Sequence, residues 1–440
     1  MSISPAALES YWLPFTANRD FKTNPRIIVG ASGHHYQTDD GRQVYDSFSG
    51  LWTSGLGHCH PKVVEAVQKQ VATLDYAMAF QASHDKVFEL ADQLTDLAPQ
   101  ELNHVFFTNS GSESVDTALK IALAYHRSRG EGHRTRLIGR ERGYHGVNFG
   151  GMSVGGMFPN RKAFGSSLLP CVDHLPHTYN REENAFSKGA PPWGLHLADE
   201  LERLCALHDG SNIAAVIVEP VPGSAGILPP PVGYLKRLRK ICDQHGILLI
   251  FDEVINAFGR LGAPFAAHRF NVTPDIITTA KGLTNGVIPM GAVLVQDKIH
   301  DALMNGPQQM IELFHGYTYS GHPIACAAGL ACLEAYREEG TFQQALELES
   351  HFEEAIHSLA DHPRVLDVRN FGLMGGIDLE SRSDGPGIRG LEIHKKCFWE
   401  ENMVVRHSAD LLQFAPFLNS RPEEITMTFE TIRKVLDSVD

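Results

Sequence analysis

The sequence predicts an α/β fold: a large domain built on a mostly parallel sheet with helices on both faces, followed by a smaller α+β domain. Two observations carry this. Through the middle of the chain short apolar runs alternate with longer amphipathic ones, the texture of strand–helix–strand units. From about residue 321 that alternation gives way to long helical stretches and a few short strands. A length of 440 residues supplies material for two to three domains.

The expected strands of the large sheet are 104–107, 137–139, 214–218, 247–251, 276–279 and 291–295, with helical segments at 115–128 and 233–245 between them. Ahead of them, 61–74 places Val64, Val67, Val71 and Leu74 at three- and four-residue steps, with Pro61 suited to a first helical turn. Beyond 321 come helices at 323–338 and 342–359, strands at 365–369, 375–379 and 403–406, and a terminal helix at 422–436. The first sixty residues hold strand-like pieces too short for a core of their own. The expected division is therefore 1–60 joining the small domain, 61–320 as the large domain and 321–440 as the small one.

Composition narrows the function. A formal net charge of −14 opposes a nucleic-acid partner, and the basic run at 236–240 reads as the solvated face of a helix. No apolar run reaches the roughly 18 residues of a membrane span. The N-terminal MSISPAALESYW has neither the basic start nor the apolar core of a secretory signal. Seven cysteines without a CxxC pair fit a reduced, cytoplasmic protein. The histidine pairs, His34-His35 and His58-Cys59-His60 among them, lack zinc-site spacing, so no metal is expected.

Four motifs could carry chemistry. Thr108-Asn109-Ser110-Gly111-Ser112-Glu113 follows a strand, and Ser110 with Glu113 has capping-box spacing. A helix start there aims free amides at one point and suits a phosphate, although a plain helix cap explains the motif equally simply. In Ile247-Leu-Leu-Ile-Phe251-Asp252-Glu253-Val254 an acid ends a buried strand, where open α/β sheets bind ligands. A buried carboxylate needs a cationic partner or a helix to cap. In Asp275-Ile-Ile-Thr-Thr-Ala280-Lys281-Gly282 a lysine follows a strand, and partial desolvation there would free its amine for Schiff-base chemistry. Most lysines after strands are merely solvated. In Arg142-Gly143-Tyr144-His145-Gly146, glycines on both sides leave the Tyr144 ring free to face a planar ligand, or simply to enter the core. A phosphate cradle, a buried acid and a desolvated lysine together favour the functional reading of each. Nucleotide cofactors are disfavoured, because neither a P-loop nor a complete GxGxxG is present.

In this order and spacing the motifs resemble those of the class III aminotransferases, of the fold-type-I pyridoxal-phosphate superfamily, from about Tyr11 to the C-terminus. More narrowly, Trp12-Leu-Pro-Phe-Thr-Ala-Asn-Arg19, Ser49-Gly-Leu-Trp52, His315-Gly-Tyr-Thr318-Tyr-Ser-Gly-His-Pro323 and Val404-Val-Arg406 resemble the β-alanine–pyruvate and ω-amine–pyruvate members. The resemblance implies a seven-stranded, mostly parallel sheet and pyridoxal 5'-phosphate as cofactor. It implies that Ser110, Gly111 and Ser112 hold the phosphate, with Thr318 from a neighbouring subunit. Tyr144 would stack on the ring with Val254 on the opposite face, and His145 and Glu219 would support the cofactor. Asp252 would pair with the ring nitrogen, and Lys281 would be the Schiff-base lysine and the proton carrier. Trp52 would wall the substrate pocket and Arg406 would receive a carboxylate.

The implied reaction is ping-pong transfer of an amino group from a β-alanine-like ω-amino acid or primary amine to pyruvate, in a homodimer with shared active sites that leaves a tetramer open. Putrescine– or taurine–pyruvate transfer, a semialdehyde aminomutase and a decarboxylase are the alternatives. Two departures stand out. Asn256-Ala257 replaces the threonine and glycine usual before Phe-Gly-Arg, and His407-Ser-Ala-Asp410 replaces a glycine-containing loop.

Overall fold

The structure, a computed structural model, describes residues 3–439. The chain opens with three short strands, β1 (Ile28–Ser32), β2 (His35–Thr38) and β3 (Gln43–Asp46). Seven more build the large sheet: β4 (His104–Thr108), β5 (Arg136–Arg140), β6 (Val172–Leu175), β7 (Ile213–Val218), β8 (Leu248–Asp252), β9 (Ile276–Thr279) and β10 (Gly291–Val295). The last five are β11 (Val365–Phe371), β12 (Met374–Leu379), β13 (Met403–Val404), β14 (Arg406–Ser408) and β15 (Leu411–Phe414).

The large sheet has the order β4-β10-β9-β8-β7-β5-β6. Its central pairings are parallel, and only β10 runs antiparallel, to both β4 and β9. The α/β expectation holds. Every residue of β7, β8, β9 and β10 is buried, the continuous apolar run expected of strands covered on both faces. Their period of two divides them between two cores. Val216, Val218, Leu249 and Phe251 enter one, whereas Ala215, Ile217, Leu248 and Ile250 enter the other beneath helix Gly111–Ser128.

Two four-stranded sheets flank this body, β1-β2-β3-β13 and β11-β12-β15-β14. In the first, β13 lies parallel to β3, with Met403 opposite Tyr45 and Val404 opposite Asp46. In the second all pairings are antiparallel. The single strand expected at 403–406 is therefore two strands in different sheets. The Val404 carbonyl accepts from Ser47 on the β3 side, but the carbonyl of fully buried Val405 turns to Nδ1 of His394, 2.6 Å away. The ladder to β3 ends there, and Arg406 pairs instead with Gln413 on β15. Among the described residues no helix is long and apolar enough to cross a membrane, and all seven cysteines are free.

Candidate active site

The site forms where β4, β5, β7, β8 and β9 end at their carboxyl termini, the edge at which open α/β sheets bind ligands. The cavity there has a volume of about 320 Å³. Ser110, Gly111, Ser112, Tyr144, His145, Glu219, Asp252, Val254 and Lys281 all line it.

After β4, Ser110 caps helix Gly111–Ser128 by accepting from the Glu113 amide at 3.2 Å. The return arm of the capping box is displaced by one residue: Glu113 Oε2 accepts from the backbone and side chain of Asn109, at 2.7 and 2.9 Å. With the Glu113 and Ser114 amides satisfied by Ser110, those of Gly111 and Ser112 are left for a ligand at the positive end of the helix dipole. Gly111 cannot be larger without moving its neighbour, since a Cβ would lie 2.8 Å from a Val254 methyl. Gly146 (φ 90°) likewise lets the chain pass Ser112, whose Oγ accepts from Val147 at 3.1 Å.

β7 and β8 deliver the acids. Glu219 is buried, and its two oxygens accept from the Tyr144 amide (2.9 Å) and the Gly223 amide (3.1 Å). Burial raises its pKa, with Asp252 nearby adding to the rise. Asp252, the last residue of β8, accepts from the Val254 amide and the Thr278 hydroxyl at one oxygen, while the other faces His145 Nδ1. Glu253 points elsewhere. Its carboxylate takes the amides of Ala266 and Ala267, and burial pushes its pKa up to about 8.

Lys281 follows β9 in a left-handed backbone conformation (φ 45°), a strained geometry for a residue with a side chain. Burial lowers its amine to about 8, against the opposing pull of Asp252 and Glu219. A lysine so tuned is a nucleophile and proton carrier near neutral pH, unlike an ordinary solvated one.

Three expected residues lie outside this lining. Trp52 is buried at the end of a turn with left-handed Ser49, Gly50 and Trp52. That turn is held by the buried Arg260, which donates to Ser49 Oγ (2.8 Å) and to the carbonyls of Leu373 and Pro416. Arg406 is half-buried, its guanidinium carbon 5.2 Å from the Trp52 ring centre and 5.7 Å from that of Phe48. Thr318 is exposed, and its carbonyl accepts from Tyr76 OH. Residues that the motifs missed include Thr53, Thr284, Gly286, Ile288, Pro289 and Met290, which also line the cavity. One signal was there to read: Asn285-Gly286, a left-handed pair (φ 53° and 73°), is an Asn-Gly turn.

An anion cradle, a carboxylate and a lysine amine around one cavity fit a flat, phosphorylated aldehyde with a basic ring nitrogen. The comparisons with known proteins agree. The family profile described as aminotransferase class III matches residues 16–436. An ω-aminotransferase of Caulobacter vibrioides is 58% identical over 98% of both chains. A β-alanine–pyruvate aminotransferase of Pseudomonas aeruginosa is 52% identical over 98% of this chain and 96% of its own. Among solved structures, a thermostable ω-transaminase mutant from Pseudomonas jessenii superposes with a TM-score of 0.93 at 30% identity, covering 100% of this chain and 98% of that one. An amine transaminase from an uncultivated Pseudomonas species, in its PLP-bound form, gives 0.90 at 34% identity over 98% and 99%. Fold and site define a fold-type-I, pyridoxal-phosphate-dependent transferase. The chain belongs to the class III aminotransferases and uses pyridoxal phosphate.

Proposed function

We propose that this aminotransferase moves the amino group of a β-alanine-like ω-amino acid or another primary amine to pyruvate, releasing an aldehyde or ketone and alanine. Arg406 carries this reading: a half-buried guanidinium near Tyr144, with no carboxylate within ion-pair distance among the described residues, suits the carboxylate of a small substrate. Relatives named for β-alanine–pyruvate and ω-amino acid–pyruvate transfer, 52% and 50% identical, support it.

When bound, pyridoxal phosphate supplies an aldehyde that takes up an amine and a cationic ring that draws electrons from the adjacent carbon. In this reading the Gly111 and Ser112 amides and Ser110 hold the phosphate, with Thr318 from a second copy of the chain. Asp252 keeps a proton on the ring nitrogen, and His145 orients Asp252. Tyr144 and Val254 pack on the two ring faces, with Glu219 on the oxygen side. Lys281 Nζ anchors the cofactor and, once free, carries the proton at the substrate carbon. Trp52 walls the pocket. The shared-site dimer is consistent with the neighbourhood of Thr318, where Met310, Ile311 and Phe314 are exposed, Phe314 at 92%. We also read residues 1–60 and 321–440 as one small domain, and the cytoplasm as its compartment.

The test is the visible spectrum of the purified holoenzyme, titrated with single amines without keto acid. β-Alanine is expected to bleach the cofactor band and pyruvate to restore it. A yellow protein that no amine bleaches would overturn the reading.

A further inference from the structure

The turn 219–223, which carries Glu219, is gripped at every second residue by a buried side chain. Arg140 Nη2 donates to the Glu219 carbonyl at 2.6 Å. Asn256 pairs with both backbone groups of Val221, accepting at 2.9 Å and donating at 3.1 Å. Gln413 Nε2 donates to the Gly223 carbonyl at 2.8 Å. The first two lead elsewhere, Asn256 Nδ2 to Met374 Sδ at 3.6 Å and the Arg140 guanidinium over the Tyr234 ring. The third continues, because the other end of the Gln413 amide, Oε1, accepts from Arg406 Nε at 2.8 Å. Arg406 and Gln413 are direct cross-strand partners of β14 and β15, and Gln413 is fully buried.

The orientation of that amide is fixed by its neighbours. Turned over, it would set its NH₂ group against the guanidinium N–H and its oxygen against the Gly223 carbonyl. Displacing Arg406 leaves Oε1 buried without a donor, a costly state for a polar atom. Gly223 is equally constrained: its amide serves Glu219, and a Cβ on it would lie 2.7 Å from Ile255. The arginine's place over Trp52 and Phe48 is thus tied, through one side chain, to the turn that fixes Glu219.

We propose that Gln413 is a positioning residue that sets the preference for carboxylate-bearing substrates, by holding Arg406 at the pocket and coupling it to Gly223. This rests on the reading of Arg406 as the carboxylate receptor. Gln413→Leu removes both bonds at similar volume, and Gln413→Glu places a carboxylate that competes for the guanidinium. Both variants, with Arg406→Ala beside them, are measured as holoenzymes in the donor half-reaction, using β-alanine and propylamine as matched donors with and without a carboxylate.

For Gln413→Leu, the β-alanine concentration giving half-maximal bleaching rises roughly tenfold or more, the loss of one hydrogen bond to a charged group. The rate at saturation and the response to propylamine stay unchanged. Gln413→Glu shows the same selective loss, which keeps the test open if the leucine variant does not fold. If Arg406→Ala weakens β-alanine selectively and neither Gln413 variant does, the inference is overturned. An equal loss for both donors, or a fall in saturating rate alone, also overturns it in favour of a merely structural glutamine. If Arg406→Ala itself leaves β-alanine unaffected, the receptor reading fails instead.

Discussion

His145 Nδ1 lies 2.7 Å from Oδ2 of Asp252, and the two side chains are 0% and 4% exposed. A proton on Nδ1 points at that oxygen, while the Val254 amide and the Thr278 hydroxyl hold Oδ1, so the carboxylate is fixed in place where it lines the cavity. Asp252→Asn keeps the shape and removes the charge that would pair with a protonated ring nitrogen. Losing one member of a buried charged pair costs about 3–5 kcal/mol, so turnover should fall by roughly a hundredfold or more. Saturating rates with β-alanine and pyruvate check this, and an unchanged rate would refute the assigned pairing.

Lys281 predicts a pH dependence. Its amine loses the proton near 8 in the folded protein, against 10.5 for an ordinary lysine, so the free amine grows through that range. Incorporation of pyridoxal phosphate into the apoprotein should accelerate from about pH 7 to 9, with a midpoint near 8. The linkage has the same sign. Between the two pKa values the unfolded chain holds the extra proton, so this group's contribution to apoprotein stability rises with pH from about 8 towards 10.5. Lys281→Ala should lower turnover by at least about a thousandfold, losing the proton carrier along with the anchor.

Gly111→Ala tests the phosphate cradle. The new methyl meets Val254 at 2.8 and 2.9 Å, and relief pushes Val254 into the cavity. Overpacking of this kind costs about 1–3 kcal/mol, so cofactor affinity should weaken by about tenfold or more. Equilibrium titration of the apoprotein with pyridoxal phosphate measures it. Unchanged affinity would mean that the helix start does not bound the cofactor site.

Asn256→Thr tests the first departure from the family pattern. Asparagine satisfies the Val221 N–H and C=O together, while a single hydroxyl on a shorter side chain cannot span both. A buried backbone group left unpaired costs about 1–3 kcal/mol. The thermal midpoint should drop, and Ala at this position should be worse than Thr. A variant as stable as the parent would show that the turn is held by Arg140 and Gln413 alone.

The strands that carry the cofactor site were legible because burial on both faces writes itself as uninterrupted apolar runs, as in β7 and β8. β6 was not legible. Its Val172-Asp-His-Leu175 is a half-buried edge with two polar residues and no apolar run. The antiparallel course of β10 leaves no mark either, since Gly291–Val295 is as buried and apolar as its parallel neighbours. β15 hid for another reason: Gln413 breaks its apolar texture, and that glutamine is buried to serve Arg406 and Gly223. The second departure has a plain cause in the backbone. Ala409 takes the left-handed φ of 51° that a glycine would adopt freely, and the Asp410 carboxylate pins the loop to the Gly387 and Gly390 amides.

The parallel pairing of β3 with β13 makes the two ends of the chain one unit of inheritance. A chimera that takes its first sixty residues from a relative sets a foreign β3 against the native β13, and a foreign Ser49 turn against the Arg260 guanidinium that also grips Leu373 and Pro416. Recombination within this family should therefore preserve activity when both termini come from one parent, and the single-crossover hybrids should be the ones lost from a shuffled library.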